Sequence, residues 1–201
     1  MKPFPRSPNE PANPRTASFP VEKLILDRWS PRAFSSEPVP EEALMTLVEA
    51  ARWSPSCFIE QPWLFVLAAS AEERAKMLTI LAEGNRAWAK NAPVLAILFA
   101  KRRFSEENQP NRWAGFDCGA AWMSLTFQAR LLGLHTHAMG GFDVKLAYET
   151  LNVPEADYEA VCAIAIGRYG DPAGLPEAIR SREKPNTERK TATEISVRAI
   201  R

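Results

Sequence analysis

The chain has 201 residues, is 46% hydrophobic and 24% charged, and carries a formal net charge of +1. That is ordinary globular usage at a length suited to one domain or two small ones. Near-neutrality argues against a dedicated nucleic-acid binder, no apolar run reaches the roughly 18 residues a membrane helix needs, and the first 20 residues lack the apolar stretch of a secretory signal.

Six of the 17 prolines fall in residues 1–20, a segment with little to bury that also holds Lys2, Arg6 and Arg15 against Glu10. It reads as an extended arm, disordered or laid on a neighbour. The body begins near Val21, and Val21, Leu24 and Ile25 sit at helical spacing over residues 21–28. Pro31 and Pro38 bracket a turn. Pro40-Glu41-Glu42 then opens a helix with proline in the first turn and carboxylates at the positive end of the dipole. Leu44, Leu47, Val48 and Ala51 form its buried stripe, and Pro55 ends it.

Residues 63–69 predict a buried strand. Ser70-x-x-Glu73 is a capping box opening a helix through Met77, Leu78 and Leu81 to Gly84. Residues 94–100 predict a second buried strand. Residues 114–132 predict a long helix, apolar nearly all round and so expected at the centre of the core, with Gly133 as terminator. A short strand is expected at 135–139, a helix capped by Asp143 up to Leu151, and a strand at 161–166. The chain is then polar until 194–200, where a weak alternation suggests a strand on an isolated tail. Residues 177–201 carry seven basic and four acidic side chains, so the near-neutral total is an acidic body with two basic ends. Strands and helices intermix without a regular β-α-β ladder, which predicts a mixed α+β domain.

Three cysteines, Cys57, Cys118 and Cys162, are odd in number and far apart in apolar surroundings, as expected of reduced thiols in a cytoplasmic protein. There is no phosphate-loop signature, no G-x-G-x-x-G and no G-x-S-x-G elbow. His135 and His137 share a strand face, but no Cys, Asp or Glu nearby completes a metal shell, so they read as strand-end polar residues and no metal is expected. Cys57 has no activating base in view.

Three segments stand out. Arg28-Trp29-Ser30-Pro31-Arg32-Ala33-Phe34 places two guanidinium groups and a hydroxyl around a proline turn, which suits a phosphate or simply a solvated turn. Residues 54–63 form a loop held by Pro55 and Pro62, rigid and mostly apolar, which suits a flat heteroaromatic ligand or a tight helix-to-strand connection. Residues 138–143 carry Gly140-Gly141, which permits close approach of a ligand to the backbone, or a plain turn before a helix cap.

In this order the three segments resemble the nitroreductase family of flavoproteins. The resemblance starts at the R-x-S-x-R-x-F pattern of Arg28–Phe34. It runs through Val39-Pro40-Glu41-Glu42, Ala50-Ala51-Arg52-Trp53-Ser54-Pro55-Ser56, Gln61-Pro62-Trp63, Gly84-Asn85, Lys90-Asn91-Ala92-Pro93 and Gly140-Gly141-Phe142-Asp143, and covers residues 21–200. It implies an α+β nitroreductase-like fold with a central mixed, mostly antiparallel sheet flanked by helices, in an intertwined homodimer with FMN at the subunit interface. It also implies ping-pong reduction of a small-molecule acceptor, such as a nitroaromatic or quinone, with NAD(P)H as donor. The chain divides into the arm, 1–20, and an FMN-binding domain, 21–201, whose C-terminal strand could join the partner's sheet.

By position in the family's motifs, Arg28, Trp29, Ser30 and Arg32 would hold the FMN phosphate and ribityl chain. Pro55, Ser56, Cys57, Ile59 and Gln61 would approach the ring from the other subunit. Gly84 or Asn85 would lie near the pyrimidine edge, and Ala138, Met139, Gly140 and Gly141 along the opposite edge. Arg189 and Lys190 would complete the phosphate site. Two departures make the flavin site more apolar: Ile59 stands where the family often has Asn, and Gly140 where it often has Glu. No catalytic side chain is expected, since flavin supplies the redox chemistry. Competing expectations are a non-catalytic flavin-sequestering protein and a specialised branch performing reductive dehalogenation or oxygen-dependent flavin chemistry.

Overall fold

A computed structural model describes residues 2–197. In chain order the elements are α1 (Lys23–Asp27), α2 (Glu41–Arg52), β1 (Trp63–Ala68), α3 (Ala71–Ile80), α4 (Glu83–Ala89), β2 (Val94–Lys101), α5 (Ala114–Leu131), β3 (His135–Met139), α6 (Val144–Leu151), β4 (Tyr158–Gly167) and α7 (Glu177–Arg180). The strands form one sheet in the order β1-β2-β4-β3. Every pairing in it is antiparallel, so among the described residues the expected mixed sheet is wholly antiparallel.

The sheet is covered on both faces, which explains why its strands read as continuous apolar runs. Along β2, Val94, Ala96, Leu98 and Ala100 face a core shared with Ala43, Leu44, Leu47 and Ala51 of α2 and Cys118, Ala121, Leu125 and Ala129 of α5. The alternate residues Leu95, Ile97 and Phe99 face a second core with Met77 and Ile80 of α3, Trp88 of α4 and Ala147 of α6. The period-2 alternation of a strand thus splits one apolar run between two layers.

Local chemistry places most helix ends as expected. Ser70 and Glu73 close a reciprocal capping box on α3. The Asp143 carboxylate accepts from Leu146 N on α6, and Gly133 follows α5 with φ 78°. One boundary differs: α3 stops at Ile80, Leu81 turns into an extended conformation, and a separate helix α4 begins at Glu83, so Gly84 lies inside a helix instead of ending one. Leu81 pairs with Phe142 in an isolated bridge, and this tertiary contact overrides helix continuation.

Two further expectations change. The arm lies on its own body, where Phe4 N donates to Leu132 O at 2.9 Å and Glu10 pairs with Arg130 at 3.2 Å. The tail has a turn at 192–194 and no strand at 194–197; residues 198–200 of that expected strand lie outside the described residues. Helix α5 is not enclosed all round: Phe116 is 78% exposed, and Met123 and Leu131 are also exposed. The three cysteines are free. Among the described residues no helix is long and apolar enough to cross a membrane, and no group of three or more side chains could hold a metal ion.

Candidate active site

The Arg28–Arg32 turn leaves α1 and is clamped from two sides. On one side the Pro31 carbonyl lies 2.8 Å from His137 Nδ1 on β3. A carbonyl only accepts, so the His137 proton sits on Nδ1. Burial pushes the His137 pKa down to about 4, which keeps the ring neutral near pH 7. On the other side, Arg32 N and Ala33 N both donate to Glu183 Oε1 at 2.8 Å. Glu183 is buried, and burial raises its carboxyl pKa against the lowering effect of those two bonds. The turn is thereby fixed to β3 and to the segment that follows α7.

That clamp gathers positive charge. Six basic side chains, Arg15, Arg28, Arg32, Arg182, Lys184 and Arg189, line a cavity of about 290 Å³ together with Ser30, Asn186 and Trp29, and no carboxylate lines it. Arg28 Nη1 donates to Ser30 Oγ at 3.2 Å. Burial, and then the nearby charge of Arg189, lower the Arg28 pKa from its ordinary value. Arg15, Arg28 and Arg32 are half-buried in this group, and an anion with several acceptor oxygens would complement it.

Beside this cavity β3 runs toward Gly140. Trp88 of α4 stacks near His137, with ring centroids 4.6 Å apart, and the Arg32 guanidinium lies 6.0 Å from the Trp88 ring centroid. Three residues before Trp88, Asn85 donates from Nδ2 to Gly141 O at 2.9 Å. A Cβ at Gly141 would stand 2.8 Å from Asn85 Nδ2, so a larger residue would push this amide away, while a Cβ at Gly140 meets nothing within 4 Å. The result is a backbone shelf at Gly140–Gly141, open at Gly140 and tied to α4 by the Asn85 amide. Arg32, which lines the basic cavity, contacts the same helix through the buried Trp88 ring.

The remaining expected segment is built differently. After α2 the chain makes a loop in which Phe58, Ile59 and Gln61 have φ of 53°, 59° and 51°. This left-handed region costs a non-glycine residue about 1–2 kcal/mol, and a β-branched residue such as Ile59 rarely adopts it. Asp117, buried in the first turn of α5, accepts from Cys57 N at 3.0 Å, and Ser56 Oγ accepts from Gln61 N at 3.0 Å. Glu60 accepts from Ser105 Oγ at 2.6 Å. These bonds hold the loop while Phe58 (89% exposed) and Ile59 (79%) point into solvent. Among the described residues none of the loop's hydrogen bonds reaches residues 28–32 or 138–141.

The structure therefore brings Arg28, Trp29, Ser30, Arg32 and Arg189 together in one cavity lining, ties Asn85 to Gly141 after β3, and places Pro55, Ser56, Cys57, Ile59 and Gln61 elsewhere on the chain. Three of the expected residues differ in burial. Trp29 buries its indole against His135 and Tyr169. Met139 turns its side chain into the core, as alternation along β3 requires when Ala138 faces the other way, so it offers only backbone to the shelf. Lys190 is exposed and outside the cavity lining. Arg15, Arg182, Lys184 and Glu183 escaped the motif search; the excess of basic residues in 177–201 was the one available pointer to two of them. His135 is also no metal ligand: its Nε2 lies 2.8 Å from Arg130 Nη1, and burial lowers its pKa.

Comparison with known proteins agrees with this geometry. Residues 25–168 match the sequence profile of the nitroreductase family. A protein of Leptothrix cholodnii, provisionally named NADH dehydrogenase/NAD(P)H nitroreductase, is 32% identical over 187 residues, covering 80% of this chain and 90% of its own. A crystal structure described as an oxidoreductase containing FMN is 40% identical with a TM-score of 0.88, covering 93% of this chain and 96% of that one. A nitroreductase family protein from Streptococcus pneumoniae is 19% identical with a TM-score of 0.71, covering 88% and 98%, and shares the fold.

Proposed function

The chain belongs to the nitroreductase family, and we propose that it is an FMN-dependent NAD(P)H oxidoreductase that reduces nitroaromatics, quinones or related small acceptors by ping-pong hydride transfer. The observation that carries this reading is the basic cavity, lined by no carboxylate among the described residues, in a chain 40% identical to an FMN-containing oxidoreductase.

FMN, when bound, supplies hydride acceptance from NAD(P)H and hydride delivery to the second substrate. The chain's own residues bind, orient and shield. Arg28, Arg32, Arg182, Lys184 and Arg189 hold the phosphate, with the Ser30 hydroxyl beside them. Neutral His137 and the carboxyl of Glu183 fix the turn that carries Arg28 and Arg32, so the charges are preorganised. Asn85, with its amide held on Gly141 O, and the bare backbone at Gly140 take the ring edge. One open face serves donor and acceptor in turn, which is the requirement of a ping-pong route.

The exposed loop supplies the other wall in a homodimer. Trp53, Phe58 and Ile59, with Trp113 at the start of α5 and Phe116 and Met123 on it, are large exposed apolar side chains of the kind that subunit interfaces cover. In this arrangement Pro55, Ser56, Cys57, Ile59 and Gln61 of one protomer complete the flavin site of its partner. The test is the visible spectrum of the purified protein before and after NADH or NADPH without oxygen. Flavin absorbance that bleaches on a turnover timescale is the expected result. Protein that is colourless and binds no added FMN overturns the reading, and flavin that stays oxidised reduces it to storage.

A further inference from the structure

The N-terminal arm precedes the family match, which starts at residue 25, yet it does not behave as a tail. Its course over the body is pinned at three residues, Phe4, Glu10 and Asn13. Phe4 N bonds Leu132 O, its carbonyl presses on Gly133, where a Cβ would stand only 2.4 Å away, and Arg168 lies 5.4 Å from its ring centroid. Glu10, its side chain 6% exposed, inserts beside Arg130 and His135, each 3.2 Å from Oε1. Burial pushes this carboxyl up, but His135 and the charges of Arg130 and Arg6 outweigh it and hold it down to about 2. Asn13 Nδ2 donates to Leu26 O at 2.8 Å, and its Oδ1 accepts from Arg15 N at 3.1 Å.

These contacts end at Arg15, and they aim it. Arg15 Nε donates to Asn186 O at 2.8 Å, and Nη1 donates to the carbonyls of Leu26 and Arg28. One guanidinium therefore bridges the α1 turn and the tail, the two segments that carry the other cations of the cavity. Among the described residues the Nη2 donors take no hydrogen bond. The group faces Arg28 and Arg189 across the cavity with no carboxylate present, and burial followed by those two charges lowers its pKa. Three backbone acceptors hold a cation in a place where like charges repel it, which is a costly arrangement unless an anion sits among them.

We propose that Arg15 is a phosphate-binding residue of the flavin site and that the arm is a strap, latched by Glu10, that delivers it. This rests on the FMN reading above and extends it to a segment outside the family match. The guanidinium fork suits a phosphate monoester, with the Nη2 donors free for its oxygens. Arg15 is assigned to the phosphate and not to the ribityl chain or ring, so its contribution should be specific to the phosphate.

The experiment compares FMN with riboflavin, the same ring without the phosphate. Full-length apoprotein, wild type and Arg15→Ala, is titrated with each by flavin fluorescence, with Arg15→Lys as a variant that keeps charge and loses the fork. For Arg15→Ala the expected result is FMN affinity lower by about ten- to a hundredfold, with riboflavin affinity within about twofold of wild type. Arg15→Lys falls between. Unchanged FMN affinity overturns the proposal, and so does an equal fall for both flavins, because a merely structural role lowers both. Should Arg15→Ala not fold, Arg15→Lys decides on the same FMN-against-riboflavin criterion. Wild-type protein that binds neither flavin overturns the functional reading itself, and the proposal with it.

Discussion

The Arg28–Arg32 turn and the Pro55–Gln61 loop are both short, proline-containing connections next to helices, and they are built in opposite ways. The turn is satisfied within its own chain. His137 holds one carbonyl, Glu183 holds two N–H groups, and the basic side chains converge on a cavity. The loop is held at its root by Asp117, keeps three non-glycine residues at positive φ, and turns its largest apolar side chains outward. One half of the proposed site converges within a single chain, while the other half is strained and exposed. Strain that persists in a loop is characteristic of functional positions, where surrounding structure enforces it.

This contrast makes testable demands on each half. The largest effect is expected on the outward half. Phe116→Arg places a charge in the exposed face of α5 and should convert the dimer to a monomer by light scattering, with FMN affinity at least about tenfold lower. A variant that remains dimeric with wild-type affinity removes α5 from the interface. Next comes the clamp. Glu183→Ala leaves the buried N–H groups of Arg32 and Ala33 without an acceptor and should cost about 2–4 kcal/mol in urea unfolding, whereas Glu183→Gln keeps an acceptor oxygen and should cost about 1 kcal/mol or less. Equal losses for the two variants would mean that the carboxylate charge matters and the backbone bonds do not. The smallest effect is Ile59→Gly. Relief of the left-handed strain, partly offset by the chain entropy of glycine, should leave the apo chain about 0.5–1 kcal/mol more stable. A loss of more than about 1 kcal/mol would show that the loop is not strained.

Much of the fold was legible because it depends on local rules. The capping box at Ser70 and Glu73, the Asp143 cap and the Gly133 stop are written in neighbouring residues, and the structure places them as expected. The break between α3 and α4 was not legible, because it is made by the bridge from Leu81 to Phe142, sixty-one positions along the chain. At the candidate site, the pattern picks out Arg28, Ser30, Asn85 and Gly141, and the structure sets Arg28 and Ser30 in one cavity lining and Asn85 against Gly141. Only the packed sheet shows which face of β3 is core, and hence that Met139 turns its side chain inward.

What the sequence by itself determined is therefore most of the elements, the family resemblance and the ordered motifs, since periodicity, caps and turn residues act over a few positions. Only the tertiary structure decided where the charges meet. Arg15 reaches Asn186 across 171 positions and Glu183 reaches Arg32 across 151. Nothing local marks such pairs, because the physical cause is the convergence of separate segments in space. The arm shows this most directly: its composition read as that of an extended arm, disordered or laid on a neighbour, and one buried carboxylate with its partners, Arg130 and His135, fastens it to its own body.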